Sequence, residues 1–312
     1  FSYTDGSGNT ITQTFGGDAV RVPVEYLDTL EFKAPENFSG QFKINVQAVT
    51  VDTDDDGGVS VEAISGNAEL TNILIKPVAD EVTTTVTARV QGNEDETMPL
   101  SIRPSSSDPS ETFDVTIDAI PNGAAIIYDG QALSAGATGL PAGMTVTDNG
   151  DGTWKVEITD FDPAKGANMT LTPPEHSNEP FTLNVSTVSV DTLTVNGTDY
   201  ESESDPFVLS INVTPKGVAD EANVEVVDPS AQNFVEADVD SAGGVMLTEL
   251  LNGTPSLIDN DDSETLSFKL SNLPDGFGVE GATSLGNEEW VFAASELANI
   301  KITTPTNFSG TS

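Results

Sequence analysis

The chain has 312 residues, with 51 Asp and Glu against 11 Lys and Arg, for a formal charge of −40 at pH 7. It therefore lacks the clustered Lys and Arg by which nucleic acid and anionic membrane surfaces are bound, and divalent cations are its natural counter-ions. Cysteine is absent, so stability has to come from packing, hydrogen bonds and oxygen-ligated ions rather than from disulfides or thiolate metal sites.

In chain order, residues 1–10 (FSYTDGSGNT) have neither the basic nor the apolar stretch of an export signal, so any such signal is expected outside this sequence. No stretch approaches the roughly 18 apolar residues of a membrane span, and no membrane insertion is expected. Hydrophobic residues make up 37% and fall in short alternating runs, which argues for folded domains rather than disorder. FKINVQAVTV (residues 42–51) predicts a β-branched strand of period two, followed by the loop DTDDDGG (52–58). SETFDVTIDAIPNG (110–123) precedes the hairpin loop DNGDG (148–152), and FTLNVSTVSV (181–190) predicts a second long strand. SELAN (295–299) is the best candidate for a single helical or 3₁₀ turn. Short strands separated by Asp, Gly, Pro and Asn turns predict an all-β fold of Ig-like or cadherin-like sandwich type.

Self-comparison organises these elements. LEFKAPENFSGQFKINVQAVTVDT (30–53), MTLTPPEHSNEPFTLNVSTVSVDT (169–192) and IKITTPTNFSG (300–310) align, and Pro35, Pro174 and Pro305 fall 139 and 131 residues apart. KPVADE (76–81) matches KGVADE (216–221), SETFDVTIDAIPNG matches SETLSFKLSNLPDG (263–276), and Trp154 in GDGTW matches Trp290 in GNEEW. The expected organisation is tandem β-sandwich modules with a period of about 130–140 residues. Residues 1–78 are expected to be the C-terminal part of one module, 79–217 a complete module, and 218–312 a module cut short at its C-terminal end.

The ordered set GDGTW, LTPPEHS, FTLNVSTVSVDT and INVTPKGVADE resembles the extender repeats of giant RTX adhesins that bacteria export by type I secretion, over nearly the whole chain. The resemblance implies an extracellular protein of the bacterial cell surface, Ca²⁺ at module junctions, and a scaffold that holds a distal ligand-binding region away from the cell. Two departures stand out: the glycine-rich RTX nonapeptides are missing, and Pro109 replaces the acidic Asp262 of the other copy.

Ca²⁺ takes six to eight oxygens, so it is sought where acidic loops converge. In the middle module the candidates are Asp80 and Glu81 in the linker, Glu94, Asp95 and Glu96 in NEDE, and Asp108 and Glu111 in SDPSE. In the last module they are Asp220 and Glu221, Glu236 and Asp238, and Asp259, Asp261, Asp262 and Glu264. Their recurrence at the junctions favours an ion over solvated turn carboxylates, because clustered carboxylates repel one another without one. Asp52, Asp54, Asp56 and Gly57 resemble the start of an EF-hand loop, yet Ala63 stands where the bidentate Glu should be and Glu62 comes one residue early, so any Ca²⁺ there is weakly held.

No enzyme is expected. The single histidine, His176, corresponds to Asn37 and Asn307 and reads as a turn residue, replaceable by Asn. Trp154 and Trp290 read as core packing rather than a sugar platform. The expected partners are neighbouring modules of the same chain. The alternative is that one module itself binds a carbohydrate or protein ligand, for which the insert YDGQALSAGATGLPAGMT (128–145) is the one favouring segment.

Overall fold

The structure, a computed structural model, describes residues 1–13, 19–53, 60–227, 233–258 and 264–309. The alternating runs form strands, and apart from a few short helical turns the described chain is all-β. Thr153–Ile158 shows how the pattern works: Trp154, Val156 and Ile158 are buried while the residues between them are half-exposed, as a period of two requires.

Residues 79–217 build two main sheets and a two-stranded one, Thr83–Val86 with Ile102–Ser105, around one core. The larger sheet runs in the order Met144–Asp148, Thr153–Ile158, Thr112–Pro121, Phe181–Val195, Phe207–Lys216 and Arg89–Asn93, with Thr198–Glu203 added against the end of Phe181–Val195. The smaller sheet runs Gln131–Ser134, Ala125–Tyr128, Met169–Thr172 and Met98–Leu100. Residues of both sheets share the core, among them Trp154, Ile117, Ile126, Leu171, Leu183 and Ile211. Trp154 is fully buried and its Nε1 donates to the Pro121 carbonyl at 3.1 Å, so its polar atom is satisfied within the apolar interior.

All pairings in the larger sheet are antiparallel except one: Phe207–Lys216 runs parallel to Arg89–Asn93, with Lys216 opposite Asn93. This ladder delivers residues 94 and 95 to the segment that follows Lys216, and that placement organises the site described below.

A second, smaller core in residues 233–309 gathers Leu247, Phe292, Leu297 and Ile300, with Phe268 stacked on Phe292 at 5.2 Å. The strand Ser267–Leu270 pairs with Glu289–Ala293, which carries Trp290; likewise Thr112–Pro121 pairs with the strand that carries Trp154. Gly123 and Gly276 have φ of +92° and +83°. Each lies so close to a proline, Pro174 and Pro305 respectively, that a Cβ would stand 3.2 or 3.1 Å away. Repeat-related glycines thus face repeat-related prolines. SELAN lies in a 3₁₀ turn, Ala294–Asn299, whose start is held by Ala293 N–H donating to Glu296 Oε2 at 3.1 Å.

The two long strands expected at 42–51 and 181–190 differ. Phe181–Val195 is continuous, whereas the first is interrupted at Gln47 and Ala48 into Gly40–Val46 and Val49–Thr53. Their partners follow the same order, Ala68–Ile75 then Ser60–Ile64 for the broken strand and Phe207–Lys216 then Thr198–Glu203 for the continuous one. The continuous strand is also held along its other edge by Thr112–Pro121. Among the described residues no strand lies along that edge of the broken one.

Trp154→Ala should lower the unfolding free energy of the chain by about 3–5 kcal/mol, the usual loss for a large buried aromatic. Gly66→Ala, where a Cβ meets nothing within 4 Å, should change it by less than about 0.5 kcal/mol. Urea unfolding of both variants checks this, and comparable losses would show that Trp154 does not organise the core.

Candidate functional site

Peptide groups that leave a sheet still need hydrogen-bond partners. At Asp80 the N–H donates to Glu111 Oε1 at 2.6 Å, and at Asp220 the N–H donates to Glu264 Oε1, also at 2.6 Å. The two VADE segments are thus fastened in the same way to the glutamates of the two SET motifs, by charge-assisted bonds. Glu111 is only 7% exposed. The second oxygen of each carboxylate, Glu111 Oε2 and Glu264 Oε2, is shielded from solvent and accepts no hydrogen bond from the described residues. A buried carboxylate oxygen in that state is strongly destabilising unless a donor or a cation compensates it.

More oxygens gather at the first of these places. Ser107 Oγ donates to Asp80 Oδ2 at 2.5 Å, and Ser189 Oγ donates to the Asp80 carbonyl. Asp108, also buried, accepts from Ser110 Oγ at 2.6 Å and Ser110 N–H at 2.8 Å. The hydroxyl bond first and the peptide bond second hold its carboxyl below the usual carboxylate range. Pro109 is accommodated within this turn. Asn37 Nδ2 reaches the Ser107 carbonyl at 3.3 Å.

At the second place the parallel ladder ends beside the linker. Glu94 N–H donates to the Lys216 carbonyl at 2.9 Å, and buried Glu94 accepts from Val218 N–H through Oε1 at 2.6 Å. Asp95 Oδ1 accepts the backbone N–H of His176 at 2.7 Å. His176 Nδ1 lies 2.6 Å from Asp220 Oδ2 and 3.4 Å from Asp95 Oδ2, and its Nε2 lies 3.7 Å from Glu175 Oε1. One donor atom from each of Asp95, His176 and Asp220 falls within 4.8 Å of the others. Burial pulls the imidazole pKa down, but the Asp95 and Asp220 carboxylates and then Glu175 outweigh it, so the net shift is upward.

The backbone of His176 has φ +54°, matching +59° at Asn37 and +58° at Asn307. Asn, Asp and His are the residues most often found in this left-handed region, which accounts for the alternation of Asn and His at the position. Asn307 N–H donates to Asp240 Oδ2 at 3.1 Å, as His176 N–H does to Asp95.

The structure sorts the sequence candidates differently from their grouping along the chain. Asp80, Asp108 and Glu111 are neighbours joined through peptide groups, but their carboxylate oxygens do not gather into one group as those of Asp95 and Asp220 do with His176. Glu94 and Asp95 do not join them, because the parallel pairing carries these two to Val218, His176 and Asp220, where Glu264 is also bound. Glu81, Glu96 and Glu221 are exposed. Glu236 and Asp238 are exposed in the first turn of the helix Glu236–Ala242, where carboxylates favour the helix dipole. The residue in that segment that acts as Asp95 does is Asp240. Asp259, Asp261 and Asp262 lie outside the described residues, as do Asp54, Asp56 and Gly57 of the EF-hand-like loop. Asp52 is exposed in Val49–Thr53. Sequence reasoning passed over His176 as a site residue, although it is the single imidazole in a strongly acidic chain.

In the presence of chelator, Glu111→Ala should cost about 1–3 kcal/mol by stranding the Asp80 N–H. Glu81→Ala, at an exposed neighbour, should stay within about 0.5 kcal/mol. Thermal unfolding of the pair checks this, and equal effects would mean that Glu111 does not fasten the linker.

No family model and no curated protein matches the chain. Among solved structures, a marsupial T cell receptor matches at 9% sequence identity with a TM-score of 0.19, over 75% of this chain and 89% of that chain. So low a score carries no argument, and the all-β assignment rests on the strands themselves.

Proposed function

We propose that the chain is a run of tandem β-sandwich modules that serves as a structural extender of an extracellular bacterial surface adhesin, with Ca²⁺ stiffening the junctions between modules. The observation that carries this reading is the recurrence of one fastening: a linker N–H held by a glutamate whose second oxygen is shielded and without a hydrogen bond, at Glu111 and again at Glu264. Hard, oxygen-rich surroundings suit Ca²⁺; at the first junction Asp80, Asp108 and Glu111 lie in neighbouring turns, and their carboxylates would have to draw closer around an ion than they stand in this structure. At the second, Glu264 contributes, with Glu94 beside it, while Asp220 lends its backbone N–H and turns its carboxylate to His176. Bound there, the ion would neutralise carboxylates contributed by both the linker and the following module, so that docking the two no longer opposes their mutual repulsion. A non-enzymatic role fits a site in which every named group fastens backbone or neighbouring side chains.

The alternative, a ligand-binding module, draws less support. The insert at 128–145 has one aromatic, Tyr128, which is buried and stacks on Phe161 at 4.8 Å. Its hydroxyl accepts the Asp162 N–H at 2.8 Å, so it does not offer a ring face to a sugar. Among the described residues no helix is long and apolar enough to cross a membrane.

Free Ca²⁺ at about 100 times a site's dissociation constant contributes roughly 2.7 kcal/mol to the native state, a large share of a typical domain stability of about 5–15 kcal/mol. Chelation should therefore lower the melting temperature and change the maximum dimension of the chain in solution, with the junctions loosening before the cores melt. Small-angle scattering and thermal unfolding in millimolar Ca²⁺ and in chelator test this. An unchanged dimension together with an unchanged melting temperature would overturn the extender mechanism.

A further inference from the structure

We propose that Asp95, His176 and Asp220 form a site for a borderline divalent transition metal, of the Zn²⁺ or Co²⁺ class, whose ligand chemistry differs from that of an oxygen-only Ca²⁺ site. The inference does not rest on the Ca²⁺ reading, since it turns on a nitrogen donor that hard cations do not seek.

Four observations converge. First, in the left-handed turn that carries Asn at positions 37 and 307, the middle copy presents an imidazole. The His176 backbone is pinned because Asp95 Oδ1 accepts its N–H. Second, that bond leaves Asp95 Oδ2 facing Nδ1 at 3.4 Å, and donors bound at 2.0–2.2 Å around a tetrahedral ion are spaced by roughly that distance. Asp220 Oδ2 is nearer, at 2.6 Å, and has to retreat by less than an ångström to complete three corners, leaving the fourth for water. Third, Nδ1 is shielded from solvent and faces Asp220 Oδ2 at 2.6 Å, so a metal entering here takes the place of the proton that this close pair of donor atoms would otherwise share. Fourth, the other ring nitrogen, Nε2, faces Glu175 Oε1 at 3.7 Å. That is beyond hydrogen-bond reach, but a small swing of the exposed Glu175 side chain would make it the outer carboxylate that fixes the tautomer of a metal-bound histidine.

The elements that bring the three ligands together are distinct. Asp95 follows the strand Arg89–Asn93, His176 lies in the turn after Met169–Thr172, and Asp220 is in the linker after Phe207–Lys216. A metal bound here would tie the body of residues 79–217 to the linker itself. Its occupancy would therefore set how firmly the next segment is held. Among the described residues the first junction, with Asn37 in place of the imidazole, has no counterpart to this donor set.

The test is Co²⁺ titration of the full chain in excess Ca²⁺, read by visible absorption, because Co²⁺ with nitrogen and few ligands absorbs far more strongly than Co²⁺ in an octahedral oxygen shell. The wild type should develop the intense band with one equivalent bound through the imidazole, and Zn²⁺ should bleach it. His176→Asn should weaken Co²⁺ binding by at least about 100-fold, as should Asp95→Asn. His176→Asn should also keep its fold and its melting response to Ca²⁺, since Asn takes the same turn in the other copies. Absence of the band, or a band that His176→Asn leaves unchanged, would reduce the triad to an ion pair and overturn the proposal. Loss of the Ca²⁺ response in the wild type, with the Co²⁺ band retained, would count against the extender reading alone.

Discussion

A carboxylate that accepts a linker N–H with one oxygen and keeps the other from water is the constraint on which the rest of this molecule depends. Glu111 and Glu264 both do this, each at 2.6 Å from the peptide nitrogen of a VADE aspartate. The bond fixes the course of the backbone at each VADE segment. In a chain of charge −40 such an arrangement places negative charge where the dielectric is low, so it stands only with compensation. Peptide and hydroxyl donors supply part of it: Ser107 and Ser110 turn toward Asp80 and Asp108. The remaining oxygens are what a divalent cation would satisfy.

The sandwich core determines which carboxylates meet. Packing around Trp154 holds the larger sheet together, and within that sheet a single parallel ladder between Arg89–Asn93 and Phe207–Lys216 brings Glu94 and Asp95 to the linker. Parallel pairing joins residues more than a hundred positions apart. Without it the NEDE loop would have no reason to lie beside Val218 or Asp220. Packing and charge are therefore coupled in one direction, since the apolar core positions the acidic groups while the acidic groups contribute little to the core.

Much of this was legible from the chain alone. Alternation in FTLNVSTVSV gave the strand, repetition of SET and VADE marked the residues that turn out to be bonded, and Asn, His and Asn at positions 37, 176 and 307 signalled a turn, which the structure shows to be left-handed, a region those side chains tolerate. The misplacement of Glu94 and Asp95 has a physical cause: sequence proximity grouped them with Asp80, whereas a nonlocal ladder decides their neighbours. Glu236 and Asp238 were put forward as the repeat equivalents of the NEDE cluster, but the corresponding loop is a helix, and the aspartate that binds the Asn307 turn lies further along at Asp240. His176 was read correctly as a turn residue yet its neighbours, Asp95 and Asp220, come from two other elements and leave no local mark.

The claim at the centre of the account is that the second oxygens of Glu111 and Glu264 are ion ligands rather than idle charge. Calorimetric titration of Ca²⁺ into the full chain and into the double variant Glu111→Gln, Glu264→Gln addresses it most directly, because the amides keep the carbonyl that accepts the linker N–H while removing the charge. The account predicts that the variant folds and loses at least one bound ion at each junction. Equal stoichiometry and affinity in the two proteins would contradict it.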